Sequence, residues 1–394
     1  MEEKFCIIEK SAHRNAWQEY LNRLRSKSFN EELTIKAARK NASQNRYRDV
    51  NPYDHTRVIL ESDDDYINAN YVEYEETESK YILCQGPLPH TCNKFWQMVW
   101  EQNSLAIIMV TNLIEGNTRK CSPYWPQTEC DSFIFGDFKV KLCQFINHGA
   151  FIISDISLEN LKTGEIRIIK HFHYKAWPDF GIPNNSFEIL RFLALIRSSK
   201  TLFSAKLGHG PAVVHCSAGI GRSGVFICLD IVLKLVEQGH SLDSIDFDEI
   251  LLCLRKQRMG LIQSHQQLRF TYIAIIDGAK YISSFEGLNT LLMDMDDIEN
   301  IKPPPPVDAN ESISNDVVPD LPPPPPPPTH LLRQRPVDKS EKQKLLQDKI
   351  DTIKTNMKSF EKKEEFWSNY YYPLLLAGGT LAIICVVSAL VYTS

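Results

Sequence analysis

The segment Pro211–Gly224, PAVVHCSAGIGRSG, constrains the fold of this 394-residue chain more than any other stretch. Its apolar opening, Pro211 to Val214, reads as a buried strand. A loop follows that carries Gly219, Gly221 and Gly224, and a helix is expected to begin near Ser223. A strand–loop–helix turn of this kind aims backbone N–H groups at one point. The helix N-terminus adds about half a positive charge there. The glycines permit the close backbone approach that such a loop needs. The loop is an anion cradle at the end of a strand.

Cys216 sits at the base of that cradle. The field that attracts an anion also favours thiolate over thiol, and cysteines placed this way fall from a pKa of about 8.5 to roughly 3.5–7.5. Arg222 can fold back to clamp two oxygens of a phosphate. A cysteine nucleophile and an arginine on one anion cradle suit phosphoryl transfer through a phosphocysteine. The other nine cysteines read as ordinary thiols.

The rest of the chain sets the context. Strand-like runs at 105–110, 151–158, 165–174 and 211–216 interleave with helical stretches near 17–24, 95–101, 186–197, 225–238, 247–258 and 264–281. That alternation favours an α/β domain over residues 1–285, with a mixed, twisted central sheet flanked by helices. The net charge of -5 gives no basic face for nucleic acid. Ten cysteines without CxxC pairs or metal-ligand spacing predict free thiols, no metal site and no cofactor. The charged opening MEEKFCIIEK lacks the apolar core of a secretion signal, so a cytosolic setting is expected.

Two further motifs carry chemistry. Asp179 lies in Trp177-Pro178-Asp179-Phe180-Gly181, where Pro178 and Gly181 make a turn able to close as a lid. Breaking a phosphate ester expels a poor leaving group that calls for a proton, worth about 10²–10⁴ in rate, and Asp179 is the candidate donor. Gln263 and Gln267 lie in LIQSHQQLRF. Amide side chains hold a water for in-line attack without taking its proton.

Taken together these motifs closely resemble those of the phosphotyrosine-specific protein phosphatase family, over roughly residues 1–282. With the tail described below, the chain is most similar to the subfamily of protein-tyrosine phosphatase 1B and the T-cell phosphatase. The resemblance implies the family's fold and hydrolysis of protein phosphotyrosine. It assigns phosphate binding to Ser217, Ala218, Gly219, Ile220 and Gly221, with His215 and Ser223 in support. It makes Asp179 the acid on a lid with Trp177 and Phe180. QNRYRDV (44–50) resembles the substrate-recognition loop, in which Tyr47 stacks on the phenyl ring, Asp49 fixes the peptide backbone and Arg48 favours acidic flanks. Glu115 is expected to hold Arg222, and Lys120 to meet Asp179. Arg255, Met259 and Gly260 match the far side of a second phosphotyrosine pocket, whose N-terminal arginine is either Arg23 or Arg25. His265 and Gln266 depart from the family pattern at the rim. A reading as an inactive phosphotyrosine-binding module competes with that of an active enzyme, and a scaffold reading, in which the proline tail and anchor matter most, is compatible with it.

Beyond residue 285 the composition shifts. Residues 286–340 hold the proline runs 303–306 and 322–328, which read as a solvated polyproline II linker. Such runs suit SH3, WW or EVH1 domains. Residues 341–368 carry Leu345, Leu346, Ile350, Ile353, Met357 and Phe360 at helical spacing, an amphipathic stalk. Residues 373–392 are uncharged and long enough, at about 1.5 Å per residue, to cross a bilayer. Phe366, Trp367, Tyr370, Tyr371 and Tyr372 crowd one edge as an aromatic belt. The expectation is a C-terminal anchor in the endoplasmic reticulum membrane, with the catalytic domain facing the cytosol. The partners then expected are phosphotyrosine proteins, among them receptor and cytosolic tyrosine kinases and their substrates, with a negative role in kinase signalling.

Overall fold

A computed structural model describes residues 1–11, 15–30, 32–129, 131–178, 181–284 and 288–292. The expected proline linker from 293 on, the stalk and the apolar anchor lie outside them, as do Asp179 and Phe180. Among the described residues no helix is long and apolar enough to cross a membrane.

In chain order the elements are α1 (Glu2–Glu9), α2 (Ala16–Lys27), α3 (Lys36–Lys40), β1 (Arg57–Ile59), β2 (Tyr66–Tyr74), β3 (Ser79–Cys84) and α4 (Cys92–Glu101). There follow β4 (Ala106–Met109), the two-residue strands β5 (Ile114–Glu115) and β6 (Thr118–Arg119), β7 (Ser132–Phe135), β8 (Phe138–Asn147), β9 (Phe151–Asn160) and β10 (Ile166–Tyr174). The last are α5 (Phe187–Ser198), β11 (Ala212–His215), α6 (Gly221–Glu237), α7 (Phe247–Gln257) and α8 (His265–Ser284).

The main sheet runs β1-β2-β3-β11-β4-β10-β9-β8-β7. Its centre, β3-β11-β4-β10, is parallel, and antiparallel strands complete both sides. A parallel centre must be covered on both faces, and its strands accordingly read as unbroken apolar runs. Alternation along each strand then divides the core into two layers. Ile107, Met109 and Val213 pack with Phe95, Trp96 and Val99 of α4. Ala106, Ile108, Ala212 and Val214 face the opposite way, toward α5, α6 and α8. A short 3-10 helix, Leu288–Leu292, packs on α5 and α8 and buries Leu288 and Leu291. The packed core therefore runs past the expected boundary at 285.

The key strand is β11. It is flanked by parallel neighbours on both sides and is fully buried. Its C-terminal end opens directly into the glycine loop, and α6 starts at Gly221, two residues earlier than expected. Gly219 has φ +71°, and a Cβ there would lie 1.9 Å from the Cys84 carbonyl oxygen, so only glycine fits.

Candidate active site

Cys216 forms the floor of a pocket of about 250 Å³. The pocket gathers residues far apart in sequence: Tyr47, Asp49, Glu115, Lys120, Ser217, Ala218, Gly221, Arg222, Gln263 and Gln267. The Gly219 N–H reaches Cys216 Sγ at 3.2 Å. Burial alone would push this thiol up. The Ser223 hydroxyl and N–H, the Arg222 charge and the Gly219 N–H together outweigh it and hold the thiol below its ordinary value. The Ser223 hydroxyl is buried without a partner at strict hydrogen-bond geometry, so its contact with Sγ is looser than that of the Gly219 N–H.

Arg222 is fixed before any ligand arrives. Its Nη2 donates to Glu115 Oε2 at 2.9 Å and its Nη1 to Glu115 Oε1. Thr111 Oγ1 and the Asn112 N–H donate to the same carboxylate. Burial raises the Glu115 carboxyl, but Arg222 and these donors overcome it, and the group stays ionised below the usual carboxylate range. Arg222 Nη2 also donates to the Pro178 carbonyl at 3.3 Å, and its guanidinium lies over Trp177, 5.5 Å from the ring centroid. The Trp177–Pro178 segment is thus tied to Arg222.

One wall is the loop that carries Tyr47. Tyr47 Oη and Ser217 Oγ are 2.8 Å apart, and Ser217 Oγ donates to the Lys120 carbonyl at 2.8 Å. Arg46 locks this loop, donating to the carbonyls of Gly86 and Pro87 at 3.0 and 2.7 Å. Opposite, the Gln267 Oε1 accepts from the Gln263 N–H at 2.9 Å. Arg48 is exposed beside the mouth.

Beneath the loop a buried relay fixes two histidine tautomers. His215 Nδ1 faces the Cys216 carbonyl at 3.1 Å, so it carries the proton. Its bare Nε2 accepts from the Tyr124 hydroxyl at 2.8 Å. His171 Nε2, 2.7 Å from the same hydroxyl, must then be the donor, which leaves His171 Nδ1 bare and unpartnered. Burial depresses His215 to about 4 and His171 well below its usual value.

The sequence that builds this domain matches a known family. Residues 41–277 fit the model of the family described as protein-tyrosine phosphatase. The chain belongs to the protein-tyrosine phosphatase family. It is 46% identical over 268 residues to tyrosine-protein phosphatase non-receptor type 2 of Rattus norvegicus, covering 67% of this chain and 63% of that protein. The human protein of that name gives 46% over 269 residues, 68% and 63%. Tyrosine-protein phosphatase non-receptor type 61F of Drosophila melanogaster gives 44% over 245 residues, 61% and 44%. The chain thus spans less than two thirds of the length of these relatives.

Other phosphatase-like residues fall as follows. His215 and Ser223 are buried behind the loop, and Gly219 and Ile220 form its turn. Arg255 is buried and engaged, its Nε donating to the Leu261 carbonyl and Nη2 to that of Ile262. Met259 Sδ accepts from the Asn51 N–H, and Gly260 has φ +66°. Of the two N-terminal arginines, Arg25 donates to the Gln263 carbonyl at 2.6 Å, while Arg23 lies over the Tyr20 ring. Of the two, Arg25 is the one whose charge acts on Arg255. His265 Nδ1 meets Gln18 Oε1 at 2.9 Å, away from Cys216. Thr111, Tyr124 and Arg46 escaped sequence reasoning: each acts through a hydrogen bond between distant segments, which no local pattern encodes.

Proposed function

We propose that this chain hydrolyses phosphotyrosine in proteins through a phosphocysteine intermediate. The observation that carries the reading is Cys216 Sγ in an open slot, 3.2 Å from the Gly219 N–H, its pKa held below the ordinary thiol value against burial by Ser223, the Arg222 charge and the Gly219 N–H. The thiolate attacks phosphorus, Arg222 and the loop N–H groups take up charge on the equatorial oxygens, and the tyrosine oxygen departs with a proton from Asp179. Water held at Gln263 then attacks phosphorus, gives its proton to Asp179, and releases Cys216 and inorganic phosphate. Tyr47 walls the slot, so that a long phenolic side chain reaches the thiolate and the shorter phosphoserine does not.

The test is turnover of a phosphotyrosine peptide. Cys216→Ser should abolish turnover and keep binding, vanadate should inhibit the wild type, and EDTA should leave it unaffected. Asp179→Ala should trap phosphotyrosine proteins from a lysate. Full activity in the serine variant would overturn the assignment.

We also propose that the apolar run 373–392 holds the domain on the endoplasmic reticulum membrane, facing the cytosol, and that the proline runs dock an SH3, WW or EVH1 domain. Kinases and kinase substrates carrying phosphotyrosine would be its targets, which makes it a brake on kinase signalling. A fluorescent protein fused to residues 361–394 should resist carbonate extraction and mark a reticular membrane. A diffuse cytosolic signal would refute the anchor.

A further inference from the structure

Arg258 follows α7 and is fully buried. A buried guanidinium is expensive to desolvate and is normally paired with a carboxylate. Among the described residues Arg258 has no such partner. Its Nε donates to the Gly219 carbonyl at 2.8 Å, and Nη2 to the Ala218 carbonyl at 3.1 Å. The remaining bonds go to neutral amides: Nη1 to Asn70 Oδ1 at 2.8 Å and Nη2 to Asn68 Oδ1 at 3.1 Å.

Two consequences follow from the planarity of the peptide. In a trans peptide the C=O and the following N–H point in opposite directions. Drawing the Ala218 carbonyl back toward Arg258 turns the Gly219 N–H forward, and that N–H is the one 3.2 Å from Cys216 Sγ. Drawing back the Gly219 carbonyl turns the Ile220 N–H the same way. The arginine thus aims two successive donors of the cradle. Because no carboxylate cancels it, its charge also acts on the site from behind, and burial lowers its own pKa to about 10.

The two asparagines tie the arrangement to substrate recognition. Asn68 Nδ2 donates to Asn45 Oδ1 and to the Val50 carbonyl, both at 2.9 Å. Asn70 Nδ2 donates to the Tyr53 carbonyl and to Thr56 Oγ1. Those bonds settle the amide orientations and leave each Oδ1 for Arg258.

We infer that Arg258 is a positioning residue for the proposed phosphoryl transfer: it sets the Ala218 and Gly219 peptides with their donors facing the phosphate and supplies a fixed, unneutralised positive charge behind the cradle. The inference rests on the phosphatase reading, but its test needs no turnover.

The readouts are the pH midpoint for iodoacetamide alkylation of Cys216, followed by mass spectrometry, and the affinity for inorganic phosphate. Removing the positive charge disfavours the thiolate, so in Arg258→Met the midpoint should rise by about one pH unit or more and phosphate affinity should fall about tenfold. Arg258→Lys keeps the charge without the fork, so its midpoint should stay near that of the wild type while phosphate affinity still drops. Asn68→Asp leaves the guanidinium in place but neutralises it, and should also raise the midpoint. A folded Arg258→Met with wild-type midpoint and affinity would overturn the proposal. If that variant does not fold, Asn68→Asp decides, and an unmoved midpoint there sinks the charge role. A wild-type chain that binds phosphate but never hydrolyses phosphotyrosine would instead defeat the reaction, with Arg258 still judged by the same shift.

Discussion

Glu115 meets Arg222 through both carboxylate oxygens, and the Arg222 fork is therefore oriented toward the pocket with no ligand to hold it. The side chains of the pair are 13% and 2% exposed for Arg222 and Glu115, so removing one partner strands a buried charge. Glu115→Ala should lower stability by about 3 kcal/mol and kcat by at least about tenfold. Glu115→Gln keeps an acceptor and should lose less of both. Thermal melts and steady-state kinetics check the ordering; a Glu115→Ala enzyme with wild-type kcat would show that Arg222 needs no preset orientation.

The thiols divide by environment. Burial pushes Cys84 and Cys228 up to about 12 and Cys92 to about 11, and it raises Cys121 as well. Cys216 is shifted the other way. At pH 6, iodoacetamide or peroxide should therefore modify Cys216 before the exposed Cys6, Cys143 and Cys253. A thiol should reverse oxidation that stops at the sulfenic acid. Peptide mapping that finds another cysteine modified first would contradict the thiolate assignment.

Stability should fall in mild acid because of the buried histidines. His173 and His215 are held neutral down to about 4, against an ordinary value near 6.5, by burial. Above pH 6.5 both states of the protein hold them neutral and nothing is lost. As the pH drops from 6.5 toward 4, only the unfolded chain takes up protons, and folding weakens by roughly 3 kcal/mol for each histidine. Denaturant midpoints measured at pH 7, 5.5 and 4.5 should decline steadily. A midpoint that holds constant over that range would mean that these rings are protonated in the fold.

The central strands β4, β10 and β11, the adjoining β9 and the helices that follow were legible in sequence as apolar or alternating runs, whereas the central β3 (Ser79–Cys84) was not read as a strand. Cys216 and Arg222 were legible because their chemistry lies within one loop. The edges were harder. In β2, Asn68 and Asn70 are buried polar residues that break the strand pattern, and they are there to serve Arg258. Arg258 itself reads from sequence as an ordinary basic helix end. Its role depends on contacts some forty and nearly two hundred residues distant, as the bonds to Ala218 and Asn68 are. The α1 helix, with charges around a thin apolar face, was missed because its stability comes from packing of Phe5 rather than from periodicity.

The Tyr124 relay gives the last prediction. Its hydroxyl donates to His215 Nε2 and accepts from His171 Nε2, with all three groups buried. Nitrogen-15 spectra should place the proton of His215 on Nδ1 and that of His171 on Nε2, opposite tautomers in one protein. Tyr124→Phe removes the acceptor for His171 and the donor for His215 in a site water does not enter. Leaving those groups unpaired should cost about 1–3 kcal/mol of stability. The loop N–H groups and Arg222 are untouched, so kcat should change by no more than a few-fold. His171 should also be free to change tautomer, because the bond that fixed it is gone. If Tyr124→Phe leaves both tautomers and the melting temperature as they were, the hydroxyl does not set the polarity of this chain, and the Cys216 carbonyl alone must hold the His215 ring.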